Sequence, residues 1–119
     1  MKKSTSDELQ EVIQSITSLI SKSEKAQQKL TPGTWQHTML HENLRALHIA
    51  FALMNRSSNG ADVPRREDLR AALRAFAAMT NRSEKAQTKF AQGTSQYTLL
   101  RNRLRAFRTA EAVINAELK

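Results

Sequence analysis

The sequence predicts an all-α fold: an up-down four-helix bundle made of two tandem, pseudo-two-fold-related helical hairpins. Three observations carry that expectation. Apolar residues recur at 3.6-residue spacing in four separate stretches. The chain matches itself without a gap at a shift of 60 residues, with 17 identities in the 33 positions from 23 to 55. A Gly-Thr pair punctuates each copy at the same place, Gly33-Thr34 and Gly93-Thr94.

The elements follow in order. In the first helix, Leu9, Val12, Ile13, Ile16, Leu19, Ile20 and Leu30 share one face, over a span of about 5–30. Thr31-Pro32-Gly33-Thr34 is its turn, with glycine expected as a left-handed C′ residue ending the helix and threonine as the cap of the next. The second helix, about 34–56, carries Leu40, Leu44, Leu47, Phe51 and Met54 in a stripe. A polar loop over 55–64 links the copies. Pro64, Glu67 and Asp68 mark the start of a third helix, about 63–90. The second turn, Ala91-Gln92-Gly93-Thr94, keeps the glycine and the threonine. A fourth helix, about 94–118, carries Leu100, Leu104, Phe107 and Ile114.

The repeat units run over about 7–56 and 67–116 of a single domain, residues 1–119. Ser23-Glu24-Lys25-Ala26-Gln27 returns as Ser83-Glu84-Lys85-Ala86-Gln87, and Leu44-Arg45-Ala46 as Leu104-Arg105-Ala106. Apolar character is kept outside the identities: Ile16 pairs with Phe76 and Leu19 with Met79. A lone helical hairpin cannot bury its apolar face, whereas two copies packed together can.

Composition bounds the function. The chain has no cysteine, which removes disulfides, thiolate metal sites and cysteine nucleophiles. The opening MKKSTSDELQ has two lysines but no apolar run, so no signal peptide is expected. No window approaches the roughly 18 apolar residues of a membrane span. A soluble cytoplasmic protein with no membrane partner is the expectation. The net charge is +8. Residues 1–59 hold seven Lys/Arg and five Asp/Glu, whereas 60–119 hold twelve and six. A basic second half suits an anionic partner, and it equally serves solubility.

The repeated motif at the turn end comprises Ser23, Lys25, Gln27, Lys29, Thr34 and Gln36, with copies Ser83, Lys85, Gln87, Lys89, Thr94 and Gln96. Spacing puts the serines and glutamines inward and the lysines outward. The plainer reading is that they satisfy helix-end backbone groups and set the turn angle. The functional reading is a polar pocket for a phosphate or carboxylate, ringed by lysines and by Arg82.

Arg101, Arg105 and Arg108 fall on one stripe of the fourth helix, and Arg70 and Arg74 pair on the third. Such a stripe can track a phosphate backbone. It can also be a solvated face whose stems cover apolar edges. Arg103 lies inside the apolar arc, where the first copy has Asn43, so a carboxylate partner is expected among Glu24, Glu84 and Glu111. His37, His41 and His48 share a stripe, but no third ligand joins His37 and His41, and neither a metal nor a cofactor is expected. Met39, Ile49 and Leu53 give the second helix an extra apolar flank, which fits either deeper burial or a subunit interface. The leading expectation is a non-enzymatic protein-interaction module, monomeric or homodimeric. The alternative is a nucleic-acid-associated protein that binds phosphates through its second repeat.

Overall fold

The computed structural model describes residues 5–55 and 64–119. It contains four α-helices: α1 (Thr5–Gln28), α2 (Trp35–Met54), α3 (Arg66–Gln87) and α4 (Ser95–Leu118). No strand occurs among the described residues. No helix there is long and apolar enough to cross a membrane. Most of the 55–64 segment expected as a linker, residues 56–63, lies outside the described residues. Asn55 closes α2 by donating its N–H to the Phe51 carbonyl at 2.9 Å.

The helices end sooner than their periodicity predicts. α1 stops at Gln28 and α3 at Gln87, two and three residues short of the expected ends. The reason is a tightened last turn. Lys29 and Leu30 donate to the carbonyls of Ala26 and Gln27, three residues back, at 3.1 and 3.0 Å. Lys89 and Phe90 do the same to Ala86 and Gln87. Such bonds satisfy orphan carbonyls while winding the chain out of the helix.

The glycines also sit differently from expectation. Neither is the C′ residue of a helix. Each is the third residue of a tight turn, closed by Thr34 N–H on the Thr31 carbonyl and by Thr94 N–H on the Ala91 carbonyl, both 3.3 Å. Gly33 has φ 93° and Gly93 φ 89°, with no other positive-φ residue described. Proline second and a left-handed glycine third is the type II pattern, and Thr31-Pro32-Gly33-Thr34 has it. The threonine then caps the next helix: Thr34 Oγ1 accepts from His37 N–H at 3.3 Å, and Thr94 Oγ1 from Tyr97 N–H at 3.2 Å. A Cβ built on either glycine meets nothing within 4 Å, so any substitution penalty is backbone strain rather than collision. Gly33→Ala is therefore expected to cost on the order of 1 kcal/mol and Gly33→Val more, because a β-branched side chain is strained against its own backbone at positive φ, and the Gly93 pair should behave alike. Denaturant midpoints test this; unmoved midpoints would show that the turns do not need their left-handed glycines.

The helices pack in a ring, α1 on α2, α2 on α3, α3 on α4 and α4 back on α1. One diagonal is closed as well. The backbones of α2 and α4 approach closely, whereas those of α1 and α3 stay farther apart. The sequence explains which diagonal is short. Ala46 and Ala50 on α2 and their counterparts Ala106 and Ala110 on α4 are all buried. Side chains this small let helix axes approach at the near end of the usual 8–10 Å range. The core around them holds Ile16, Leu47, Phe76, Phe107 and Ile114. Phe76 and Phe107 stack at 5.8 Å with a 55° tilt. The extra apolar flank of α2 fits either deeper burial in the bundle or a subunit interface; α2 does pack against all three other helices, and α4 shares that place with it, the alanines sitting on both.

Candidate functional site: the grooves between α1 and α4 and between α2 and α3

The repeated turn-end motif divides between half-buried and exposed positions. Ser23, Gln27, Ser83 and Gln87 are half-buried, while Lys25, Lys29, Lys85 and Lys89 are exposed, all as spacing predicts. Gln36 and Gln96 were expected to face inward and are exposed. The fully buried stripe of α2 begins only at Asn43 and that of α4 at Leu100, so the two glutamines lie ahead of it, while His37 and Tyr97 of the same turns are half-buried. Gln87 Nε2 donates to the Tyr97 carbonyl at a long 3.5 Å, and Thr34 and Thr94 are used as caps.

The arginine stripe is divided. Arg101, Arg105 and Arg108 are all exposed, yet two of them turn to opposite sides of α4. Arg105 Nη1 lies 3.6 Å from Glu11 Oε2 on α1, and Arg108 Nη2 lies 3.8 Å from Glu84 Oε2 on α3. Residues three apart on a helix differ by about 60° in direction, enough for the two flanking helices to claim one each. Arg70 and Arg74 are exposed on α3. The histidines take ordinary places: His48 Nε2 is 4.0 Å from Glu24 Oε2, the same contact that Arg108 makes with Glu84 one repeat later.

Two grooves open where spacing gave no warning. One runs between α1 and α4 with a volume of about 340 Å³, the other between α2 and α3 with about 490 Å³. They occupy matching positions in the repeat. Glu11, Ser15, Ser18 and Lys22 of the first wall correspond to Ala71, Ala75, Ala78 and Arg82 of the second. Leu99, Asn102, Arg103 and Arg105 on α4 correspond to Met39, Glu42, Asn43 and Arg45 on α2. One arginine closes an ion pair across each groove: Arg105 to Glu11, and Arg45 to Asp68 at 2.7 Å. Both pairs are substantially exposed, so each adds at most about 1 kcal/mol.

The chemistry of the two grooves differs although their frames match. The α2–α3 groove has an alanine wall, and Asn43 beneath it is buried. The α1–α4 groove has hydroxyls, amides and cations above an apolar floor of Val12, Leu19 and Leu99, the last 44% exposed. Arg103 lines this groove half-buried. The carboxylate expected beside it is not there. Among the described residues it has no ion-pair partner. Glu24 faces His48, Glu84 faces Arg108, and Glu111 accepts from Thr80 at 3.2 Å. Arg103 escapes full burial because the groove admits water to its charge.

Ser15, Ser18 and Asn102 were not among the sequence candidates, whereas Lys22 was one of the cations expected to ring the turn-end pocket. The signal that finds the two serines is divergence between the copies, serine against alanine at three-residue spacing beside a shared apolar stripe. Set against known protein families, curated proteins and solved structures, the chain matches none of them.

Proposed function

We propose that this chain is a soluble, cytoplasmic, non-enzymatic interaction module that receives a protein partner along the grooves between its helices. Its fold is read as two tandem helical hairpins related by a pseudo-two-fold axis, the arrangement that places one groove at each junction between hairpins. The observation that carries the reading is the coincidence of the two grooves at positions 60 residues apart. Two surfaces with the same frame suit a partner that reads a repeated contact along the bundle. Equivalent turns, caps and the Glu24–His48 and Glu84–Arg108 contacts support the same relation. Grooves bounded by two helices are where an amphipathic segment lays its apolar face.

The alternative, phosphate-backbone binding through the second repeat, is weakened by the division of its arginines between Glu11 and Glu84. A photo-reactive benzoylphenylalanine placed at Ser18 or Ala78, with exposed Asn115 as control, separates the readings inside cells. Discrete protein adducts are expected from the two groove positions and none from Asn115. An adduct at twice the chain's mass identifies a homodimer. Adducts at all three positions alike, or at none, overturn the proposal. The companion measurement is a salt titration against a duplex DNA and an RNA of arbitrary sequence, with wild type and an R101Q/R105Q/R108Q variant. No binding is expected at about 50 mM salt; retention falling with a log–log slope near −0.9 per contact, reduced in the variant, would install the nucleic-acid reading instead.

A further inference from the structure

The two grooves invite comparison as a pair, because each serves as the control for the other. At the position where α2 buries Asn43 beneath one groove, α4 carries Arg103 beneath the other. An asparagine can be buried with its hydrogen bonds satisfied. An arginine keeps its charge at any accessible pH and needs either water or a carboxylate. Arg103 is half-buried and has no ion-pair partner among the described residues. Most of the polar side chains lining that groove lean toward the same chemistry. Lys22 is a second cation, and Ser15, Ser18, Gln14 and Asn102 offer uncharged donors.

We infer that the α1–α4 groove is the docking site for an acidic amphipathic helix, with the Arg103 guanidinium as the anchor for one of its carboxylates. The inference rests on the interaction-module reading and names the partner's chemistry. Three features select this occupant. Arg103, Lys22 and Arg105 face one acidic residue in the wall, Glu11, which leaves the groove positive. The floor of Val12, Leu19 and Leu99 demands an apolar stripe opposite it. The groove extends along α1 from Glu11 to Lys22, about three helical turns or roughly 17 Å at 1.5 Å per residue. A second copy of the chain fits poorly, since it would bring +8 against +8. Nucleic acid fits poorly too, because no aromatic ring lines the groove for a base to stack on. A carboxylate meets guanidinium in a two-pronged contact that neither asparagine nor lysine reproduces.

The test uses the full chain, isotopically labelled, and two synthetic helical peptides of about four turns. One carries glutamates flanking a leucine stripe; the other has glutamine at every glutamate. Chemical-shift changes with the glutamate peptide are expected over 11–22 and 99–105 and not over the counterpart wall of α3. The glutamine peptide is expected to bind about tenfold more weakly or worse, a ratio that narrows as salt rises. Arg103→Asn copies the residue that the other groove already buries, so its thermal melt is expected to hold while glutamate-peptide affinity drops about tenfold. Arg103→Lys is expected to restore part of the loss, which keeps the test decisive if Arg103→Asn fails to fold. Equal binding of the two peptides in this groove overturns the acidic preference and leaves the interaction module standing. Full affinity in Arg103→Asn likewise removes the anchor. Shifts confined to the α2–α3 groove overturn the choice of groove and leave the interaction module standing, whereas no response to either peptide at millimolar concentration overturns both.

Discussion

Phe76→Ala is expected to destabilise the protein by about 3–5 kcal/mol, the largest effect of any single truncation considered. The ring is fully buried, stacked on Phe107 at 5.8 Å, and belongs to the cluster that also holds Ile16 and Leu47. Removing it loses the transfer free energy of an aromatic side chain and leaves a cavity bounded by helices that cannot all collapse at once. It also loses the tilted ring contact, worth about 0.5–1.5 kcal/mol beyond area. Against a typical domain stability of about 5–15 kcal/mol, the variant is left marginal. Phe90→Ala is the matched control. That ring is 39% exposed just ahead of the second turn, and its loss is expected to cost well under about 1 kcal/mol. Urea unfolding of both variants, read by circular dichroism, decides the matter. Equal midpoint shifts would mean that Phe76 does not lie at the centre of the bundle.

Ala50→Leu is the second large expectation, and it acts in the opposite sense. Ala50 is fully buried on the helix pair that closes the short diagonal, as is Ala110 at the matching position of α4. A leucine there must push α2 and α4 apart or take a strained rotamer, at about 1–3 kcal/mol. Spreading the diagonal disturbs all five helix contacts, because α2 and α4 are the two helices that touch every other. Ala110→Leu should match it closely. Ala52→Leu, two residues along the same helix but exposed, is expected to change stability by no more than about 0.5 kcal/mol. Thermal melts of the three variants suffice, and indifference at Ala50 would place the diagonal elsewhere.

The four helices could be read from the sequence because their apolar stripes are long and regular, as Val12, Ile16 and Leu19 are on α1. The capping threonines were legible for a different reason: Thr34 and Thr94 stand next to glycine at the head of an apolar run. The glycine role was misread, since glycine ends helices and closes tight turns alike, and only the Thr31 and Ala91 carbonyls show which. The short diagonal was hidden because alanine is neutral in any hydrophobic pattern, and Ala46, Ala50, Ala106 and Ala110 look like helix filler. Of the candidate sites, the turn-end glutamines could not be placed, because a first-turn residue is covered only if a neighbouring helix reaches past it. Arg103 stood out against Asn43, but the groove beside it is a property of two helices from opposite ends of the chain.

That last property has a kinetic consequence. α1 and α2, like α3 and α4, are joined by turns of only a few residues, and loops this short close in well under a microsecond. The α1–α4 contact, by contrast, brings Glu11 to Arg105 across nearly the whole length of the chain. Contacts of long sequence separation are entropically the slowest to gain. The α1–α4 seam is therefore expected to be the last part of the ring to zip during folding, and a partner lying in its groove would act as a clasp on the two ends of the chain. Amide exchange along α1 from Val12 to Leu19 reports that clasp directly, slowing when the groove is filled while the α2–α3 seam keeps its own pace.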